Sequence, residues 1–311
     1  MASETESANG SARPSDTSSS ISWTPPSRTT GIFNEAATLI NRGGLGSSSQ
    51  SQNTTTTNST PTPTALELTN ALNTWDLQLQ PGHPKSLSGI AIRSFILGLT
   101  LSSTLTLTLY LLSTSSLFWR APFFIATLSL FHFLEFYTTS LTNTSSAQIS
   151  SFLFSSNGSA YTIAHTTSLL ECLLSHTLYP SAILPSYIHY SVLLLGLAFI
   201  ISGQAIRATA MLTAGTNFSH VVKHTKAQSH ELVTGGVYSV FRHPSYFGFF
   251  WWGIGTQLVC GNIVSLLGYS VVLWRFFQTR IEGEEELLVK FFGDEYKEYR
   301  RRTRVGIPFI K

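Results

Sequence analysis

Charge is scarce in this 311-residue chain, and the scarcity is local: from Ser86 to His220 only Arg93, Arg120, Glu135, Glu171 and Arg207 carry it. Soluble domains devote about a quarter of their residues to Asp, Glu, Lys and Arg, so a soluble fold is excluded for this stretch and lipid is its expected surrounding. Cysteine is sparse as well. Cys172 and Cys260 each stand alone in an apolar run, which excludes a disulfide framework and a cysteine-based metal site and leaves both as small core residues. A basic, apolar leader is also missing, since Glu4 and Glu6 occupy the first residues, and membrane insertion is expected from internal spans rather than a cleaved signal peptide. The net charge of +3 averages a polar tail, an apolar middle and a charged end. It calls for no nucleic-acid partner.

Residues 1–85 are rich in Ser, Thr, Asn, Gly and Pro, with runs such as Ser18-Ser19-Ser20 and Thr54-Thr55-Thr56-Thr57. Such a segment cannot bury enough apolar surface to offset the entropy of ordering, and it is expected to be a disordered tail. A short apolar patch at Ile32–Ile40 is at most a transient helix. Beyond the tail, apolar runs predict spans at Ile90–Leu112, Pro122–Tyr137, Tyr161–Leu178 and Tyr187–Met211, measured against the roughly 20 residues that a bilayer requires. Two shorter runs, Tyr246–Cys260 and Ile263–Phe277, form a hairpin around Gly261-Asn262 that either crosses a thinned membrane or dips into it. The expected architecture is therefore an all-α integral membrane protein of about six transmembrane helices, with four in 86–213 and a C-terminal helical hairpin followed by a charged helix in 214–311. An even number of crossings puts both termini on one side, and Arg300-Arg301-Arg302 with Arg304 mark it as cytosolic. Arg120 does not fit that pattern. The acceptor-like sequences at Asn143 and Asn157 would then face the cytosol unmodified.

Ionisable residues inside a membrane need a partner, a ligand or water. Glu135, three residues from His132, and Glu171 are candidates on that ground, although helix-to-helix pairing accounts for either. The segment Arg242-His243-Pro244-Ser245-Tyr246 sets an Arg-His pair at the start of an apolar run containing Phe249-Phe250-Trp251-Trp252, and Pro244 suits the first turn of a helix. Arg280 follows the hairpin directly, where an acidic ligand at the membrane surface can reach it. His220 and His224 have the i, i+4 spacing of helical metal ligands, but no Cys or Asp completes a set and no metal is expected. Gly235-Gly236 lacks the preceding strand and later glycines of a dinucleotide fingerprint.

The series His220-Val221-Val222, His230-x-Leu232-Val233-Thr234-x-Gly236-x-Tyr238, Arg242-His243-Pro244-Ser245-Tyr246-x-Gly248, Trp274-Arg275-Phe276-Phe277 and Arg280-x-x-x-Glu284-Glu285 resembles the isoprenylcysteine carboxyl methyltransferase family. Phe292-Gly293-x-Glu295-Tyr296-x-x-Tyr299 and the ending Gly306-Ile307-Pro308-Phe309-Ile310 continue the likeness, which runs from about Phe131 to the end and leaves out the tail. The resemblance implies transfer of a methyl group from S-adenosyl-L-methionine to the C-terminal α-carboxylate of farnesylated or geranylgeranylated cysteine, at the endoplasmic reticulum membrane. Prenylated proteins and the lipid bilayer are the implied partners. It further implies a cytosolic cofactor-binding region that uses Lys223, His230, Glu231, Leu232, Val233, Tyr238, His243, Pro244, Ser245, Tyr246 and Glu284. Arg280 would bind the acceptor carboxylate, with Arg242 and His243 beside it in the catalytic centre. At Lys223 the family pattern carries Gln, and Gly283 interrupts its usual acidic run.

Related membrane enzymes share the Arg-His-Pro element. A sterol-reductase-like enzyme would need more spans and an acid to protonate a reduced double bond, and a phospholipid methyltransferase acts on an amine, for which Arg280 is poorly placed. A non-catalytic scaffold leaves both charged clusters without a purpose.

Overall fold

A computed structural model describes residues 64–311 apart from 155, 179–185, 223 and 227–229. The patch at Ile32–Ile40 and Lys223 lie outside the described residues. Among the described residues eight α-helices follow one another: α1 Ala65–Leu79, α2 Leu87–Ser113, α3 Arg120–Thr142, α4 Gly158–Leu178, α5 Ser186–Ala214, α6 Pro244–Cys260, α7 Val264–Phe292 and α8 Asp294–Arg302. No strand forms among the described residues. One isolated bridge joins Phe241 to Arg304. Three helical stretches, Leu87–Ser113, Leu117–Thr142 and Tyr187–Asn217, are long and apolar enough to cross a membrane. The hairpin arms are a different case. At about 1.5 Å per residue the 17 residues of α6 extend about 25 Å, short of a core of roughly 30 Å.

Two boundaries differ from expectation. The last part of the polar tail is helical, because Leu72, Trp75 and Leu79 recur at helical spacing within Ala65–Leu79, a pattern that the surrounding Asn and Thr dilute. Lys85 sits 4.5 Å above the Trp75 ring. The second hairpin arm does not stop at Phe277 but continues unbroken to Phe292. Charged residues mark where α7 leaves the apolar layer; they are good helix formers and do not end it. Gly293 at φ +58° does.

In α2 several hydroxyls bond back to the helix, Thr104 to the Thr100 carbonyl at 2.6 Å and Thr108 to that of Thr104 at 2.7 Å, which satisfies those donors within the span. The tightest packing is between α5 and α6. A Cβ on Gly203 would lie 2.6 Å from the Gly248 carbonyl oxygen, and one on Gly255 2.7 Å from that of Gly196. Seven residues separate the glycines on each helix, so both contacts fall on one seam and the backbones meet without intervening side chains. That approach sets the start of α6, and hence Pro244 and Ser245, against α5. Phe131, Trp252, Ile200 and Val259 fill the core beside the seam.

The helix ends gather in two groups. At one end Lys85 donates to the Ser145 carbonyl at 2.6 Å, and Asn143 donates to the Phe218 carbonyl at 3.0 Å. At the other Arg120 meets His189 at 2.5 Å and lies against the hairpin turn at Gly261, while Glu171 caps α7 by accepting from the Val264 and Ser265 amides at 2.8 and 2.7 Å. Arg120, which conflicted with the expected charge distribution, is buried in that second group. Glu171 has the structural role of satisfying a helix start.

Candidate active site

The segment between α5 and α6 folds over the first group of helix ends. Gly236, at φ +58°, turns it beside Thr213. Tyr238 then donates to the Ala210 carbonyl at 3.3 Å and accepts at its own carbonyl from Tyr299 at 2.7 Å. The Arg242 amide bonds the Arg304 carbonyl at 3.0 Å, tying the segment to the strand-like residues after α8. Pro244 opens α6 in its first turn, as its fixed φ and missing amide hydrogen favour.

Between this segment and the C-terminal half of α7 lies a cleft partly open to solvent, with a second lobe beside it. Asn217, Ser219, Glu231, Tyr246, Glu284, Leu288 and Phe292 border both lobes. Of the residues proposed for the cofactor, Glu231, Leu232, Val233, Tyr238, His243, Pro244, Ser245, Tyr246 and Glu284 line the larger lobe, and His230 joins at the smaller. Residues spread over more than 50 positions thus converge on one cleft.

Three ionic clusters frame it. Glu285, 5% exposed, receives the Arg242 Nε at 2.5 Å, the His243 Nε2 at 3.3 Å and the Arg300 Nε at 3.1 Å. Arg242 gives a further bond to the Thr303 carbonyl at 3.0 Å. Burial pushes the Glu285 carboxyl up, but the bonds from His243 and Arg242 outweigh it and hold the group below the ordinary carboxylate range. Arg242 and His243 therefore border the cleft while their bonded nitrogens serve this clamp.

The second cluster reaches the cleft through Tyr246 and Glu284, which line both lobes, whereas Arg280 lines neither and adjoins them through Tyr246. Tyr246 donates its hydroxyl to Glu284 at 2.6 Å and accepts from the Arg280 Nε at 2.9 Å. Arg280 and Glu284, four residues apart, share one face of α7, and Tyr246 bridges them from α6. A second nitrogen of Arg280 bonds the His220 carbonyl, and the guanidinium lies 5.5 Å from the Tyr246 ring and 5.9 Å from Phe276.

The third cluster is buried between α3, α5 and α6. Glu135 takes both Nε and Nη2 of Arg207, the latter at 2.7 Å, and the His220 Nε2 at 3.0 Å. Arg207 Nη1 bonds the hydroxyl and carbonyl of Ser245 at 2.8 and 3.2 Å. His132 does not pair with Glu135; it bonds the Phe152 carbonyl at 2.8 Å and the Tyr161 hydroxyl at 3.1 Å. Arg207 and Glu285 were missed as site residues. Their rarity as charges among apolar residues was the available signal for Arg207, while nothing local separates Glu285 from the neighbouring glutamates.

His220, engaged with Glu135, is not placed as a metal ligand, and among the described residues no group of three His, Cys, Asp or Glu side chains could hold a metal ion. Cys172 and Cys260 are buried and free of a disulfide. Trp251 and Trp274 serve the chain ending: their ring nitrogens donate to the Gly306 and Pro308 carbonyls at 3.4 and 2.9 Å.

Comparison with known proteins agrees with this arrangement. Residues 194–290 match the isoprenylcysteine carboxyl methyltransferase (ICMT) family. The protein-S-isoprenylcysteine O-methyltransferase of Saccharomyces cerevisiae is 50% identical over 60% of this chain and 79% of its own length. That of Xenopus laevis is 43% identical over 71% and 74%, and the human one 40% identical over 71% and 75%. Among solved structures, the eukaryotic intramembrane Ras methyltransferase ICMT superposes with a TM-score of 0.63 at 34% identity, covering 79% of this chain and 85% of that one. At these identities and coverages, the chain belongs to the isoprenylcysteine carboxyl methyltransferase family.

Proposed function

We propose that this protein is an S-adenosyl-L-methionine-dependent methyltransferase that esterifies the C-terminal α-carboxylate of prenylated cysteine at the cytosolic face of the endoplasmic reticulum membrane. The observation that carries the reading is the Arg280–Tyr246–Glu284 bridge beside the cleft: a cation fit for a carboxylate and an anion fit for an ammonium, joined through one hydroxyl. Bound in the cleft, the cofactor supplies a methyl group activated by its sulfonium charge. The cleft fits it in kind. Glu284 offers a partner for the amino-acid ammonium, residues 230–233 offer peptide groups to a purine edge, and Tyr246, Phe292 and Tyr296 offer apolar and aromatic walls.

An α-carboxylate has a pKa of about 3.5 and is already ionised at pH 7. The protein therefore needs no general base; its residues align the two reactants and exclude water. Arg280 orients the carboxylate through its guanidinium, and its bonds to Tyr246 and His220 keep that guanidinium from swinging toward bulk water. Arg242 and His243 act through the Glu285 clamp, which holds the start of α6. A prenyl chain is too apolar to cross water freely and should reach Arg280 from the bilayer, past the aromatic residues between the helices.

The two groups of helix ends support six crossings with both termini cytosolic: segments 143–157 and 215–243 join one group, and the hairpin turn joins the other. The test uses membranes containing the protein, methyl-labelled S-adenosyl-L-methionine and N-acetyl-S-farnesylcysteine. Base-labile methyl ester is the expected product. Label in phospholipid instead, with no ester, would replace the reading by an amine-directed methyltransferase.

A further inference from the structure

Glu135 lies about two turns before the end of α3 and touches neither lobe of the cleft, yet it is the point from which both halves of the site are held. Its carboxylate is 1% exposed and has three nitrogen partners. One arm runs through Arg207 to the Ser245 hydroxyl and carbonyl, at the first turn of α6. That turn presents Pro244 and Tyr246 to the cleft. The other arm runs through the His220 ring: the same residue's carbonyl accepts from Arg280, so anchoring the ring fixes the acceptor that orients the guanidinium. Phe131 and Phe249 flank Arg207 at 5.5 and 5.3 Å from its guanidinium carbon, and the Arg207–Glu135 pair, 8% and 1% exposed, has almost no solvent to relax into.

We infer that Glu135 is a positioning residue that aligns the cofactor half of the site through Arg207 and Ser245 and the carboxylate half through His220 and Arg280. A buried carboxylate with a bidentate arginine is costly to desolvate, and well-packed apolar residues of the same volume often serve stability equally well. Stability alone therefore gives little reason for the group. Its geometry gives one: a single rigid acceptor on α3 holds two points of the site at once, Ser245 at the start of α6 through Arg207 and His220 in the 215–243 segment that leads into it. Misplacing a reacting group by about 1 Å costs on the order of a hundredfold in rate.

The inference rests on the proposed methyltransfer, and the experiment separates the two. Wild-type protein in membranes must first form ester, which tests the reaction alone; cofactor-product affinity is then measured by titration with S-adenosylhomocysteine, independently of turnover. Glu135→Gln should lower kcat about tenfold to a hundredfold and, because it leaves the Arg207 charge buried without its counter-ion, should lower the unfolding temperature as well, so each arm is also cut singly. His220→Leu, outside the apolar layer, cuts one arm only. It should raise KM for N-acetyl-S-farnesylcysteine and leave S-adenosylhomocysteine affinity unchanged, whereas Ser245→Ala should weaken that affinity and leave the acceptor KM unchanged. Should Glu135→Gln fail to fold, this split between the two arms decides the matter. Equal effects of His220→Leu and Ser245→Ala on both parameters, or wild-type kinetics in both, would overturn the inference.

Discussion

At the residue scale the site is a set of charges each held by a specific neighbour, and removal of different members should cost different things. Arg280→Ala takes away the carboxylate partner and leaves the cleft walls in place. Turnover of N-acetyl-S-farnesylcysteine should fall by at least about a hundredfold while S-adenosylhomocysteine binding stays within about twofold. Glu284→Ala should do the opposite, weakening cofactor binding first, because its carboxylate rather than that of Glu285 borders the cleft. Similar losses of binding in both variants would show that the Tyr246 bridge, and not the individual charges, is what the cofactor meets. Glu285 has a pH signature. Its folded-state carboxyl is held below the ordinary range, so the stability it contributes is full above the unfolded value of about 4.3 and is lost as pH falls through the folded value. Glu285→Gln should therefore flatten the acid side of the stability–pH curve and lower stability at pH 7. Tyr299 has the reverse sign. Burial pushes its hydroxyl up to about 12, so its contribution is complete below the unfolded value of about 10 and is lost as pH rises through the folded value of about 12.

At the scale of elements, what decided legibility was whether a structural cause is local. Lipid demands long apolar runs, so α2, α3, α4 and α5 could be placed from the sequence to within a few residues, five at most. The α6 start was legible for a different local reason, since Pro244 fixes it. The continuation of α7 to Phe292 was not, because a helix passing from lipid into water changes its composition without changing its hydrogen bonding. Pairing was illegible where it depended on helix rotation. Helix-to-helix pairing was expected of Glu135 and is what forms, but its partner, Arg207 from a helix 72 residues on, could not be read from the sequence. The cleft residues Glu231 to Tyr246 were recognised through the family resemblance, while the clamp at Glu285 required three dimensions. The α5–α6 seam supplies a test at this scale. Gly203→Ala places a methyl group 2.6 Å from the Gly248 carbonyl, where neither backbone can yield without moving α6. Overpacking of this kind costs about 1–3 kcal/mol; a lowered unfolding temperature with a parallel loss of activity is expected, and Gly268→Ala, with no neighbour near its Cβ, should leave both unchanged.

For the whole molecule the arrangement reconciles two demands: a polar cofactor arrives from water and a prenyl chain from lipid, so the site must sit where the helices leave the bilayer. The helix ends divide accordingly. Lys85, Asn143 and the 215–243 segment interlock on one side together with the cleft, while Arg120, His189 and the hairpin turn interlock on the other. This division also changes how the acceptor-like sequences should be used. Asn143 is buried, its amide donating to the Phe218 carbonyl, and would escape glycosylation on either side of the membrane; its silence says nothing about orientation. Thiol labelling does speak to it, because Cys172 and Cys260 are buried and should give little background. In sealed microsomes a membrane-impermeant maleimide should label Ser156→Cys, in the segment before α4 on the cleft side. It should label Ser115→Cys, in the exposed turn between α2 and α3, only after the membrane is permeabilised. Labelling of both before permeabilisation would mean that α3 does not cross, and the reverse pattern would place the cleft in the lumen, away from any cytosolic supply of cofactor and prenylated protein.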